Sequence, residues 1–196
     1  MLKRSFDIFG SLLGIIFLLP LFCIVSIAIK IKDGKPVFFK QKRVGKNGIL
    51  FDVYKFRTMQ NSPDRDKKLA STKDLRITAL GKILRHYKLD ELPQLFNVLR
   101  GDMSFVGYRP EIPYYVEQYN EFEKEILKYK PGIVDPATLK FSREENDILE
   151  KSDNLEKDYV EKILPEKISI SLVYAKEATF FKDLQCLMKC MFHLFS

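Results

Sequence analysis

The sequence predicts an α+β protein, mostly helical. Its expected parts are an N-terminal re-entrant membrane helix broken at Pro20, a small β-hairpin, and amphipathic interfacial helices around a cytosolic domain. Three observations carry this. Residues 8–29 (IFGSLLGIIFLLPLFCIVSIAI) form a run of twenty-two positions without a charge. Two apolar, β-prone stretches flank an Asn-Gly pair at 47–48. Most of the remaining chain shows helical spacing of its apolar residues. With 46% hydrophobic and 30% charged residues, the chain can build a real core and is not a disordered one. Three Cys exclude a disulfide-stapled scaffold, and two His with scattered Cys exclude structural zinc.

The apolar run comes first. At about 1.5 Å per residue, twenty-two residues reach ~33 Å, enough to cross a hydrocarbon core of ~30 Å. It exceeds the ~7–15 residues of a signal-peptide core. Lys3 and Arg4 precede it, and Lys30, Lys32 and Lys35 follow, so both flanks favour the cytoplasmic side. Pro20 removes a backbone donor near the middle and leaves two arms of ~12 residues, each too short to span alone. A helix that enters, breaks and returns satisfies both features better than a kinked spanning helix. The expected division is a re-entrant segment at 1–35 and one cytosolic-face unit at 36–196.

Residues 37–44 and 49–56, joined by Gly45-Lys46-Asn47-Gly48, predict the hairpin. Residues 60–75 carry Asp, Lys, Ser and Pro without periodicity and read as a loop. From Ala79 to about Leu99 the pattern is helical, interrupted near Pro93. Residues 111–130 and 144–163 read as charge-laced surface helices. In 183–196, Leu184, Leu187, Met188, Met191, Phe192 and Phe195 share one helical stripe. That stripe either packs on the domain or lies in a bilayer interface.

Charge divides unevenly. Residues 1–110 hold 21 Lys and Arg against 9 Asp and Glu, whereas 111–196 hold 12 against 17. The first part therefore calls for an anionic partner: nucleic acid, anionic lipid or a phosphorylated small molecule. Asp90 and Glu91 sit among Arg76, Lys82, Arg85, Lys88, Arg100 and Arg109. Neighbouring cations are expected to lower a carboxylate's pKa and keep it ionised. An ionised Asp beside bound phosphate can act as a nucleophile toward phosphorus or as a Mg²⁺ ligand. By spacing alone, an Asp-Glu pair is more often part of a solvated helix face. Arg109, stiffened by Pro110, suits bidentate phosphate binding, and Lys55-Phe56-Arg57-Thr58 offers further cations beside a hydroxyl. P-loop, dinucleotide-binding, zinc-protease and nucleophile-elbow motifs are absent. No nucleic-acid motif is readable either.

Taken in order, these residues resemble the bacterial sugar transferases, the small monotopic phosphoglycosyl transferases that load a polyprenyl phosphate with a phosphosugar. The resemblance runs through Lys3-Arg4-Ser5-Phe6-Asp7, Pro36-Val37-Phe38-Phe39, Gln41, Arg43-Val44-Gly45 and Tyr54-Lys55-Phe56-Arg57-Thr58-Met59. Its most specific part is Leu89-Asp90-Glu91-Leu92-Pro93-Gln94-Leu95, followed by Asn97-Val98-Leu99, Gly101 to Gly107 and Arg109-Pro110. The resemblance implies a transferase at the cytoplasmic face of the bacterial inner membrane. Asp90 would attack a UDP-sugar, release UMP and hand the phosphosugar to undecaprenyl phosphate. Asp90 and Glu91 would be the catalytic pair and would hold Mg²⁺. Lys55, Arg57, Arg85 and Arg109 would bind phosphate, and Arg143 stands where a later family Arg is expected. The implied partners are a UDP-sugar, polyprenyl phosphate and an anionic membrane surface, not nucleic acid; a homo-oligomer is compatible with the resemblance. Departures from the family pattern are Leu19 before Pro20, the stretch Val134-Asp135-Pro136-Ala137-Thr138, and Ser171 where some members carry Asp. The competing expectations are a silent relative that binds nucleotide-sugar or lipid phosphate, and a membrane-tethered nucleic-acid binder.

Overall fold

A computed structural model describes residues 2–60 and 74–195, with the side chains at 142, 143, 146, 150 and 191–195 outside that description. The stretch 61–73, most of the expected loop, also lies outside the described residues. Helix α1 spans Leu2–Lys32. Long apolar side chains suit it, and its apolar positions divide into two faces. Asp7, Ser11, Phe22, Val25 and Ile29 are buried against the rest of the chain. Phe9, Leu13, Ile16, Phe17, Ile24, Ile27 and Ile31 stay exposed.

The expected break at Pro20 is not present as a division into two helices: Pro20 lies inside α1. A proline deletes its own hydrogen bond, and the flanking turns carry the helix across. Packing of Phe22, Val25 and Ile29 on Phe56 and Leu84 holds the turns that follow Pro20. Both ends of α1 are tied to the same body. Near its start, the Arg4 guanidinium donates to the carbonyls of Val98 (2.7 Å) and Leu99 (2.8 Å). Asp7 Oδ1 accepts from Ser104 Oγ and the Phe105 amide. Beyond its end, Arg57 donates to the carbonyls of Asp33, Gly34 and Lys35.

Strands β1 (Phe38–Val44) and β2 (Leu50–Phe56) form the expected hairpin, antiparallel, with Phe38 opposite Phe56 and Val44 opposite Leu50. Asn47 and Gly48 take φ of 58° and 76°, the left-handed values that Asn and Gly tolerate in a tight turn. Phe51 and Val53 pack on Val98 and Met103.

Helices α2 (Ala79–His86) and α3 (Gln94–Arg100) occupy the stretch read as an interrupted helix. Thr78 caps α2 by accepting from the Gly81 amide. Gly101, at φ 94°, ends α3 in the left-handed conformation. Fully buried Asn97 stitches α3 to β2, accepting from the Tyr54 amide and donating to the Asp52 carbonyl. At Gly81 the backbones meet closely: a Cβ there would lie 2.1 Å from the Thr58 carbonyl oxygen. Gly81→Ala is therefore expected to cost about 1–3 kcal/mol of stability, measured as a lowered thermal midpoint in detergent.

Strand β3 (Ser104–Val106) pairs in parallel with β4 (Gly132–Val134). The helix read at 111–130 is broken into α4 (Pro113–Val116), α5 (Glu121–Lys124) and a 3₁₀ turn over Glu125–Lys128. The break has a local cause. Asn120 and Glu123 form a capping box, which starts a new helix and so ends the previous one.

The helix read at 144–163 starts earlier, as α6 (Pro136–Glu150) capped by Asp135. It is followed by α7 (Leu155–Asp158), a π turn over Tyr159–Ile163 and α8 (Leu164–Glu177). Tyr108, Tyr115, Tyr119, Ile126, Tyr159, Ile163 and Leu172 form the core of this half.

Helix α9 (Phe180–Phe195) closes the chain. Its start is pinned to α1 by a Lys3–Asp183 ion pair at 2.6 Å and by Phe6 against Phe180. Tyr174 from α8 donates to Asp183. The packed side of α9 contains Asp183 and Cys186, whereas Leu184 and Met188 of the apolar stripe are exposed. Packing on the domain therefore does not account for that stripe; its other described member, Leu187, is half-buried.

Candidate active site

Asp90 and Glu91 lie in a 3₁₀ turn, Leu89–Glu91, between α2 and α3. The turn is entered through Lys88, a non-glycine residue at φ 55°, so its geometry is held by its surroundings rather than by local preference. Leu89 and Leu92, which bracket the two acids, pack on the cluster of Phe22, Val25 and Ile29. The acidic turn thus shares one hydrophobic cluster with α1, Phe56 and Leu84.

The two carboxylates are in opposite electrostatic states. Glu91 Oε1 accepts from Lys55 Nζ at 2.7 Å and from Arg109 Nη2 at 2.9 Å. Burial pushes Glu91 up, but Arg109 and Lys55 together outweigh it and hold the carboxyl well below its ordinary range. Burial lowers the Lys55 ammonium, with Glu91 opposing the shift. Glu91 in turn raises Arg109, against the effect of its burial.

Asp90, only 7% exposed, accepts no hydrogen bond among the described residues. Burial raises its pKa, outweighing the opposing pull of Lys55, Arg85 and Lys88, while Glu91 pushes the same way as burial. The expectation that cations keep Asp90 low is thus overturned. Lys55, the cation that pulls on it most, is committed to its neighbour Glu91.

The other expected binding residues divide. Lys55 and Arg109 converge on Glu91. Arg85, in the last turn of α2, donates to Thr58 Oγ1 at 2.9 Å and acts on Asp90 through space. Arg57 is not in this group; its guanidinium is occupied by the three carbonyls after α1, and the residue is buried. Arg143 belongs to α6, and its side chain lies outside the described residues. Two of the departures from the family pattern meet, since Ser171 Oγ donates to Asp135 Oδ1 at 2.8 Å. The hydroxyl noted at Thr58 accepts from Arg85. Residues the sequence reading did not single out also shape the site. Glu111 and Tyr159 join Arg43, quoted only as part of the resemblance, in a buried network beside Arg109. The signal for Arg43 was its place among cations close in sequence to Lys55; Tyr159 had none.

No group of three or more His, Cys, Asp and Glu among the described residues is arranged to hold a metal by itself. Mg²⁺ rarely needs one, because it takes one or two carboxylates and completes its shell with water and phosphate oxygens. The residues present fit such a cation. Asp90 is a buried carboxyl that accepts no hydrogen bond among the described residues, and the contacts to Glu91 fall on Oε1.

The chain matches the bacterial sugar transferase family over residues 1–196. It is 37% identical over 194 residues, 97% of this chain, to the UDP-glucose:undecaprenyl-phosphate glucose-1-phosphate transferase of Klebsiella pneumoniae, covering 39% of that protein. It is 34% identical over 98% of its length to the Escherichia coli protein of the same name, covering 40% of it. It is also 42% identical over 139 residues to the UDP-N-acetylgalactosamine-undecaprenyl-phosphate N-acetylgalactosaminephosphotransferase of Aeromonas hydrophila, covering 67% of this chain and 32% of that protein. The chain thus spans about a third to two fifths of the length of these relatives. On the whole-length match and these identities, the chain belongs to the bacterial sugar transferase family.

Proposed function

We propose that the protein transfers a phosphosugar from a UDP-sugar to undecaprenyl phosphate at the cytoplasmic face of a bacterial inner membrane. The observation that carries this is the acidic turn: a buried carboxylate without a donor among the described residues, beside one neutralised by two cations, in a turn whose leucines join the hydrophobic cluster of the apolar helix. In the first step an Asp90 carboxylate oxygen attacks the β-phosphorus of the donor. The bond from that phosphorus to the bridging oxygen breaks, and UMP leaves. In the second step an oxygen of the lipid phosphate attacks the same phosphorus, and the Asp90 carboxylate is expelled. A covalent intermediate lets a water-soluble donor and a lipid acceptor use one site in turn.

Phosphoryl transfer depends mainly on positioning and charge neutralisation. Lys55, Arg85 and Arg109 supply fixed positive charge around the donor diphosphate. Asp90 and the open edge of Glu91 would hold Mg²⁺, which supplies further neutralisation and lowers the pKa of Asp90. Arg57 instead holds the end of α1, and with it the floor under the acidic turn.

Attachment of both ends of α1 to one body supports a helix with its two flanks on the same membrane side. Its exposed face (Phe9, Leu13, Phe17, Ile24) would then enter the bilayer, with the unit at 36–196 remaining outside on the cytosolic side. Leu184 and Met188 of α9 are likewise exposed, consistent with an interfacial helix.

The test is UMP release by the purified chain given Mg²⁺, undecaprenyl phosphate and a panel of UDP-sugars. Release from one or two donors, lost on chelation, is the expected result. A folded protein that releases no UMP from any donor would count against transfer and favour a silent binding role.

A further inference from the structure

Arg109 owes its position to the segment that carries it, and that segment is clamped from three directions by groups that do not touch the acidic turn. From β1, Arg43 Nη1 donates to the Pro110 carbonyl at 3.0 Å and to Glu111 Oε2 at 3.1 Å. From the same strand, the Val44 amide donates to the Glu111 carbonyl at 2.9 Å. From the π turn, Tyr159 Oη donates to Glu111 Oε1 at 2.6 Å. Glu111 and Tyr159 are 7% and 6% exposed, so water does not substitute for these bonds. On the other side of Arg109, the Tyr108 carbonyl accepts from the Gly132 amide.

The π turn matters here. An extra residue in a helical turn costs regular hydrogen bonding, and such turns are frequent at functional sites. In this chain it starts at Tyr159 and delivers its hydroxyl to Glu111. We propose that Tyr159, Glu111 and Arg43 are positioning residues for the transfer reaction. They hold the Arg109 fork at the distance that serves both Glu91 and the donor diphosphate. The proposal rests on the transferase reading of the site. A cation displaced by even about 1 Å from developing charge loses much of its catalytic effect.

The test is a double-mutant cycle on the full chain in detergent, with a UDP-sugar that the wild type turns over. Tyr159→Phe removes one hydroxyl and is expected to lower kcat/KM for the donor about tenfold. The KM for the lipid acceptor stays unchanged. In an Arg109→Ala background the same change is expected to cost less than about twofold, because the group it positions is gone. If Arg109→Ala does not fold, Arg109→Gln, which also removes the cation, takes its place. Tyr115→Phe is the control. Its ring packs on Tyr159 with centroids 5.1 Å apart, but its buried hydroxyl has no partner among the described residues, so full activity is expected.

Equal losses from Tyr159→Phe with and without Arg109 would overturn the positioning role while leaving the transferase reading intact. So would a loss in Tyr115→Phe as large as that in Tyr159→Phe. A folded wild type that releases no UMP from any donor would instead overturn the reading on which the proposal rests.

Discussion

Asp90→Asn is expected to lower UMP release by at least about 10³-fold and yet leave the protein as stable as the wild type or more so. The two effects share one cause. Asp90 is buried and accepts no hydrogen bond among the described residues, and Lys55, the cation that pulls on it most, is bound to Glu91. Ionised, it is a cost to the fold, and a neutral amide of the same shape relieves about 1 kcal/mol of that cost. The pH dependence follows. Burial raises the folded-state pKa of Asp90 above its ordinary value near 3.8. Its contribution to stability is therefore fully present below that ordinary value and is lost as pH rises through the folded one. The gain of Asp90→Asn over wild type should be largest near neutrality and shrink on acidification. Paired thermal melts across pH, alongside UMP assays, measure both. A variant that loses activity and stability together would mean that Asp90 supports the fold.

Glu91→Gln is expected to behave in the opposite way, losing about 2–3 kcal/mol of stability as well as activity. Glu91 is the shared acceptor of Lys55 and Arg109, and its loss leaves two cations facing each other across a mostly buried site. The figure lies below the ~3–5 kcal/mol of a fully buried broken pair because the Arg109 side chain keeps 37% exposure and some solvent screening. The folded-state pKa of Glu91 is depressed, so its stabilisation is present above its ordinary value near 4.5. It is lost as pH falls through the folded-state value. The variant should lack this acid-side loss. Lys55→Met combined with Glu91→Gln should recover part of the stability without restoring activity, since it removes an unpaired buried charge. Urea titrations of the four proteins, read by tryptophan-free circular dichroism, measure the coupling. Additive losses would mean that the pair does not act as a unit.

Local chemistry explains what could be read from the chain. The Asn47-Gly48 turn needs positive φ at both positions, and this pair supplies it at little cost. Pro93 and Gly101 delimit α3 by the same kind of local rule. The acidic pair and its cations stand out because few other acids occur in that half of the chain.

What could not be read depends on contacts between distant residues. Pro20 looked like a break because its own lost hydrogen bond is visible in sequence. The packing of Phe22, Val25 and Ile29 on Phe56 and Leu84 is not. Lys55 and Arg57 are two residues apart and read as one cationic face. Arg57 lies just past the end of β2, however, and turns to the carbonyls after α1. Counting nearby cations also mispredicts Asp90, because a count does not tell which carboxylate the Lys and Arg bind. Tyr159 had no signal at all, since its role depends on a π turn and on Glu111, 48 residues earlier.

The central claim is that the Asp90 carboxylate carries the phosphosugar between two substrates. The most direct measurement is intact-protein mass spectrometry after incubation with a competent UDP-sugar and Mg²⁺ but no lipid acceptor. The expected result is a mass increase of one phosphosugar, mapped to the peptide containing Asp90, with UMP formed in equal amount. The adduct should disappear when undecaprenyl phosphate is added and should be absent in Asp90→Asn. UMP release that requires the lipid, with no adduct at any time, would contradict the account and indicate direct transfer between the substrates.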